Sequence, residues 1–139
     1  MTPSVLLYDA DCGFCRVSLA LILAWDRAAR LRPLALQDPD AERLLAGMSG
    51  EQRMRSWHLV SPDGRVRSAG AALSPLLAEL PGGGPLARLS ARLPGVVEPG
   101  YRWVADHRSS LGRALPDRAR RWADARIARH GPPTGGVVG

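Results

Sequence analysis

Two short apolar runs, separated by one long segment of helical periodicity, constrain the fold of this chain more than any other feature. Ser4 to Tyr8 and Leu31 to Leu36 each have the length and composition of a buried strand. Between them, apolar residues recur at helical spacing from Cys12 to about Arg30. Two strands joined by a helix are expected to be parallel, with a right-handed crossover. Pro33 lacks a backbone N–H, which favours an edge position for the second strand.

The following segments predict a hairpin and further helices. Ser56 to Val60 and Arg65 to Ser68 flank a strong turn signal, so these two strands are expected to be antiparallel. Helices are predicted over residues 41–46, 69–80, 86–93, 97–111 and 116–130. The whole order predicts an α/β fold, a small mixed sheet of about four strands flanked by helices, with a helical C-terminal extension. Trp103 and Trp122 are expected to face inward.

A chain of 139 residues, 45% of them hydrophobic, is expected to form one domain. We predict that residues 1–115 form this domain and that residues 116–130 add a basic helical extension. Residues 131–139 are rich in Gly and Pro and are predicted to be disordered.

The sequence predicts a cytoplasmic protein without a membrane span. No apolar run approaches the roughly 20 residues that a span needs. A secretory signal requires a basic residue before its apolar run, and none precedes the first apolar run here. In the cytoplasm, thiols are mostly reduced.

The formal net charge is +6, and all 19 basic residues are arginines. Because these arginines are dispersed and aromatic residues make up only 5%, nucleic acid is not favoured as a partner. One dense cluster near the C-terminus is interpreted as a solvated helix face; it comprises Arg118, Arg120, Arg121, Arg126 and Arg129.

The motif Cys12-Gly13-Phe14-Cys15 carries the chemistry. It follows the first strand and opens the first helix, where unpaired N–H groups and partial positive charge favour a thiolate. Cys12 is therefore expected to attack a substrate disulfide, and Cys15 to resolve the mixed disulfide. Such a cysteine pair carries the electrons itself, so no cofactor is predicted.

The two cysteines have three other interpretations. A structural disulfide across so short a loop would gain little stability. A metal site needs about four ligands, and no histidine stands at ligand-like spacing, so no metal is predicted. A pair of inert core cysteines remains the third alternative.

Three further residues are candidates for the site. Asp11 is a predicted N-cap of the first helix. Asp9 is either a proton-relaying carboxylate for the thiols or a turn residue without a catalytic part. Arg108 falls on the apolar stripe of its helix, and is either a snorkelling side chain or an ion-pair partner of Asp9.

The segment from Tyr8 to Cys15 resembles the DCC family of predicted thiol–disulfide oxidoreductases, named for an Asp-x-x-Cys-x-x-Cys pattern. Asp9, Cys12 and Cys15 occupy that pattern here. The resemblance continues through Asp63-Gly64-Arg65-Val66 and through Tyr101-Arg102-Trp103-Val104-Ala105 to Arg108.

This resemblance implies a thioredoxin-like fold and dithiol–disulfide exchange. The expected partners are a protein or small-molecule disulfide or dithiol and a separate electron donor. Thioredoxins place a cis-proline before their third strand, where this chain has Ser56-Trp57. The alternative function is a non-catalytic interaction or anion-binding module with a vestigial Cys-x-x-Cys motif.

Overall fold

One mixed sheet of four strands carries helices on both of its faces. The computed structural model describes residues 3–130. The strands are β1 (Ser4–Tyr8), β2 (Leu31–Ala35), β3 (His58–Val60) and β4 (Val66–Ser68). The helices are α1 (Gly13–Trp25), α2 (Pro39–Leu44), α3 (Gly50–Arg55), α4 (Leu73–Glu79), α5 (Gly84–Arg92), α6 (Pro94–Ala114) and α7 (Asp117–His130).

The strand order is β2-β1-β3-β4. β1 is parallel to β2, and β3 is antiparallel to both β1 and β4, so both pairings predicted from the sequence are confirmed. Pro33 lies on β2, opposite Leu6 of β1. β2 is an edge strand, which is the position that the missing N–H of Pro33 favours. The architecture is α/β and consistent with a thioredoxin-like fold.

Alternation along β1 divides the core between the two faces of the sheet. Leu6 and Leu7 are both fully buried, and they point to opposite faces because side chains alternate along a strand. The buried residues packed with Leu6 include Leu19 and Leu23 of α1 and Leu76 of α4. The buried residues packed with Leu7 include Leu34, Leu45 and Val60.

Helix α1 ends at Trp25, so the expectation of a helix reaching about Arg30 was wrong. Asp26 follows and is buried, and its carboxylate accepts hydrogen bonds from the backbone N–H of Arg30 and of Leu31, both at 2.9 Å. These two bonds fold the chain back through a turn in which Ala29 has a φ of 54°. The turn leads directly into β2.

The helices after the hairpin differ in extent from their predictions. The segment 69–80 is split into a 3-10 turn, Ala69–Ala72, and α4, which has Pro75 in its first turn. Helix α6 begins with Pro94 and is longer at both ends than the predicted segment 97–111. A proline at the first helical position costs no hydrogen bond, which explains the early start.

Helix α7 packs along α1 at the end of the described chain. Arg126 donates from Nη2 to the carbonyl of Leu23 at 2.9 Å, and His130 Nε2 lies 3.2 Å from Asp26 Oδ2. Ile127 packs against the core. The predicted tail, residues 131–139, lies outside the described residues.

Two tryptophans that were expected inside lie at the surface. Trp103 is 57% exposed and Trp122 is 39% exposed. The Trp103 ring stacks instead on His107, one turn along α6, with ring centroids 4.2 Å apart. Between residues 3 and 130, none of the helices combines the length and the apolar composition that crossing a membrane requires.

Replacing Asp26 tests how far the α1–β2 turn stabilises the fold. Asp26→Ala should lower the free energy of unfolding by about 3 kcal/mol, because buried N–H groups lose a charged acceptor. Asp63→Ala is the matched control, since exposed Asp63 also accepts a backbone N–H, that of Arg65 at 3.0 Å. The control should cost about 0.5 kcal/mol or less. Denaturant titrations measure both, and equal losses would contradict this role of Asp26.

Candidate active site at the start of helix α1

The loop between β1 and α1 lies at the carboxyl edge of the parallel strand pair. Asp9 follows β1 directly, and its carbonyl accepts the backbone N–H of Cys12 at 3.2 Å. One side-chain oxygen of Asp9, Oδ1, accepts the backbone N–H of Asp11 at 3.0 Å. These bonds form a tight turn that brings Cys12 to the start of the helix.

Cys12 is the N-cap of α1, so the prediction that Asp11 caps this helix was wrong. The sulfur of Cys12 accepts the backbone N–H of Cys15 at 3.3 Å. The turn closed by Asp9 places residue 12, not residue 11, at the capping position, and Asp11 is exposed. The Cys12 sulfur therefore lies at the N-terminus of α1, the end of a helix that favours negative charge.

Cys15 lies one turn further and has a different environment. Burial, followed by the hydrogen bond and charge of Cys12, raises the pKa of the Cys15 thiol to about 12. The sulfur of Cys15 therefore carries its proton at neutral pH. The two cysteines are free and lie close together, one at the helix N-cap and the other one turn inside the helix.

Arg108 reaches the site from α6. Its Nη2 lies 3.8 Å from Asp9 Oδ2, so the ion pair weighed from the sequence is present. The same guanidinium donates from Nη2 to the carbonyl of Met54 at 3.2 Å and from Nη1 to the Cys15 sulfur at 4.0 Å. The positive charge of Arg108 thus stands between the carboxylate of Asp9 and the second thiol.

Gln37 is a site residue that the sequence analysis missed. Its Nε2 donates to Asp9 Oδ1 at 2.8 Å and to Asp11 Oδ2 at 3.2 Å, and its Oε1 accepts the N–H of Ala10 at 3.1 Å. Gln37 follows β2, and the carboxyl ends of parallel strands meet at one edge of a sheet. That topology was the signal that could have identified it.

Tyr101 is a second residue whose role only the structure shows. Its hydroxyl accepts the backbone N–H of Trp57 at 3.1 Å, and the two rings stack with centroids 5.7 Å apart. Burial raises the pKa of Tyr101 to about 12. No cis peptide bond occurs within residues 3–130, including the position before β3.

The two thiols face different cavities. Cys15 lines a mostly apolar cavity of about 340 Å³ between α1 and α6. Cys12 lines a polar cleft of about 440 Å³ at the start of α1. Asp9 and Arg108 line both spaces and therefore stand at their boundary.

The interpretation of the C-terminal arginine cluster as a solvated face was wrong for two members. Arg120 lines the Cys12 cleft and donates from Nη2 to the carbonyl of Gly112 at 2.7 Å. Arg126 holds α7 on α1 through its bond to Leu23. Helical periodicity did not predict these contacts, because it counts arginine as a polar, solvated residue, whereas the apolar stem of an arginine can pack on a neighbouring helix.

No three His, Cys, Asp or Glu side chains within residues 3–130 come together in a way that could hold an ion.

A family model described as DCC1-like thiol-disulfide oxidoreductase matches residues 6–114. The matched range contains both cysteines, Asp9, Gln37, Tyr101 and Arg108. No curated protein and no solved structure matches the chain.

The unequal environments of the thiols predict unequal alkylation. At pH 7.5, iodoacetamide should modify Cys12 at least about 10-fold faster than Cys15, because the thiolate is the reactive form. Peptide mapping by mass spectrometry measures both rates on the reduced protein. In guanidinium chloride the two rates should become similar, since burial no longer protects Cys15. Faster labelling of Cys15 in the folded protein would reverse the assignment.

Proposed function

The chain belongs to the DCC1-like thiol-disulfide oxidoreductase family, and on this premise we propose that it performs dithiol–disulfide exchange through Cys12 and Cys15. The observation that carries the proposal is the bond from the Cys15 N–H to the Cys12 sulfur at 3.3 Å. It places one sulfur at the helix start, where negative charge is favoured, and keeps the other sulfur within reach of it.

In the first step, the Cys12 thiolate attacks one sulfur of a substrate disulfide. A bond forms between Cys12 and that sulfur, the substrate S–S bond breaks, and the departing thiolate takes up a proton. Cys15 then loses its proton and attacks the Cys12 sulfur. The Cys12–Cys15 disulfide forms and the second substrate thiolate leaves, so the substrate gains two electrons and the protein loses two.

The second step needs help, because the Cys15 proton is held tightly at neutral pH. Asp9 is the proposed acceptor of this proton. Its Oδ1 already accepts two N–H donors, whereas Oδ2 faces only the Arg108 guanidinium, at 3.8 Å, so Oδ2 is the oxygen proposed to take the proton. Arg108 would stabilise the Cys15 thiolate, since its charge lowers the pKa of that thiol. Asp11 has a positioning role in this proposal: the Gln37 amide donates to the carboxylates of both Asp9 and Asp11 and so links Asp11 to Asp9.

The electron pair resides on the two sulfurs, so the proposed exchange requires neither a metal nor an organic cofactor. A separate dithiol donor must reduce the Cys12–Cys15 disulfide for a further turnover. We propose the cytoplasm as the compartment, where such donors maintain thiols.

Trapping of the intermediate tests this function. The Cys15→Ser protein, mixed with 2-hydroxyethyl disulfide, should accumulate a covalent adduct on Cys12, because the resolving thiol is absent. The wild-type protein should instead lose two hydrogen masses as its own disulfide forms. Intact-mass spectrometry distinguishes the two products, and Cys12→Ser serves as the control that forms neither quickly. A wild-type protein that stays reduced would favour the non-catalytic alternative.

Removing the Arg108 charge should slow resolution more than attack. In Arg108→Leu, the pKa of Cys15 rises further, so disulfide closure should slow by about 10-fold. Quenched-flow mass spectrometry separates adduct formation from closure. Arg108→Lys retains the charge and should recover part of the closure rate, and Asp9→Asn should slow the same step. Loss of the first step alone would contradict the proposed role.

A further inference from the structure

The polar cleft around Cys12 has more cationic than anionic side chains on its walls. Four arginines and two aspartates line it: Arg16, Arg108, Arg113, Arg120, Asp9 and Asp11. The whole chain also carries a net charge of +6. The reactive sulfur therefore opens into a small space with an excess of guanidinium groups.

Backbone carbonyls hold two of these arginines in place. Arg16 donates from Nη1 to the carbonyl of Ala10 at 2.8 Å, and Arg120 donates from Nη2 to the carbonyl of Gly112 at 2.7 Å. The Nε of Arg120 lies 3.4 Å from the position that a Cβ on Gly13 would take. A neutral carbonyl orients a guanidinium without cancelling its charge, so the charge at the start of α1 is positioned in advance.

The acidic partners of these two arginines are mostly exposed to solvent. Asp124 lies 3.0 Å from Arg16 Nε with its side chain 57% exposed, and Asp117 lies 3.3 Å from Arg120 Nη1 with its side chain 81% exposed. Exposed ion pairs are weak and screened.

Arg113 lacks such a partner. It donates from Nη2 to the hydroxyl of Ser110 at 3.3 Å, and no carboxylate lies within ion-pair distance of it among residues 3–130. Its exposed side chain is therefore able to bind an anion in the cleft without first breaking an ion pair.

The main chain next to the site is closed to an extended polypeptide. The N–H of Trp57 is bonded to Tyr101, and its carbonyl accepts the N–H of Ala69 at 3.3 Å. A substrate strand could pair there only by breaking these bonds. Recognition by main-chain hydrogen bonds at this position is thus disfavoured.

We propose that the Cys12 cleft selects low-molecular-weight disulfides that carry an anionic group, such as a carboxylate, close to the sulfur. This inference rests on the proposed exchange function. Attack on a disulfide is collinear with the bond that breaks, so the bound sulfur and its substituent extend from Cys12 into the cleft. An anionic substituent then lies beside Arg113 and Arg120, whose charges attract it before and during the attack.

Three disulfides with the same spacer but different charge test this selection. They are 3,3′-dithiodipropionate, which is anionic, 2-hydroxyethyl disulfide, which is neutral, and cystamine, which is cationic. Single-turnover rates with the reduced protein are divided by the rates of dithiothreitol under the same conditions, which removes differences in intrinsic reactivity. The corrected rate should be about 10-fold higher for the anionic than for the neutral disulfide, and lowest for cystamine. The preference should shrink as the salt concentration rises.

Arg113→Gln locates the preference in the cleft. It should reduce the anionic-to-neutral rate ratio by about threefold. Because Arg113 is exposed, the substitution should leave the fold intact, so a folding defect would not account for this reduction. Arg129→Gln is the matched control: it removes the same charge from an exposed site on α7, nine residues or about 14 Å beyond Arg120 along the helix axis. This distance exceeds the Debye length of about 10 Å at 0.1 M salt, so the control ratio should not change.

The outcomes separate the two proposals. Reduction of the neutral disulfide without an anionic preference, or an equal loss of preference in both variants, would overturn the cleft inference and leave exchange intact. Faster reduction of a disulfide-linked extended peptide than of any small probe would also overturn it. If none of the disulfides oxidises the protein, the exchange function itself fails.

Discussion

The parallel pairing of β1 with β2 is the constraint on which the site depends. A parallel pair requires a crossover, and α1 provides it, so the start of α1 must lie at the carboxyl edge of β1. The same edge receives the residues that follow β2, among them Gln37. The loop after β1, the N-terminus of α1 and the Gln37 amide therefore meet at this edge. At the other end of α1, the buried Asp26 carboxylate binds the N–H of Leu31 and fixes the turn into β2.

The two thiols acquire different chemistry from their positions one helical turn apart. Cys12 caps the helix and faces a polar cleft, whereas Cys15 is half-buried against an apolar cavity and holds its proton. The pair thus combines a sulfur at a helix N-terminus, which favours negative charge, with a more enclosed sulfur that carries its proton. Arg108 and Asp9 line both spaces, and the charge of Arg108 lies close to the Cys15 sulfur.

The C-terminal helices complete a site that begins in the first fifteen residues. Helix α6 supplies Arg108 and the Tyr101 hydroxyl, and α7 brings Arg120 against the start of α1. Gly112 lets α6 approach closely, since a Cβ there would lie 3.3 Å from the N–H nitrogen of Phe14. These helices are consequently part of the site rather than an appendage to the sheet.

The sequence by itself determined the α/β class, the strand pairings and the position of the two cysteines at a helix start, because short-range periodicity and turn chemistry encode them. It also allowed the Asp9–Arg108 pair to be considered, from one arginine on an apolar stripe. Only the tertiary structure decided which residue caps α1. The Asp9 side chain binds the backbone N–H of Asp11 and the Gln37 amide binds its carboxylate, so Asp11 is held away from the capping position. Likewise, only the packing of α6 and α7 turned Tyr101 and Arg120 towards the site. Tyr101 bonds to Trp57, 44 positions away, and Arg120 lies against Gly13, 107 positions away, and contacts between residues so far apart in the chain leave no local pattern.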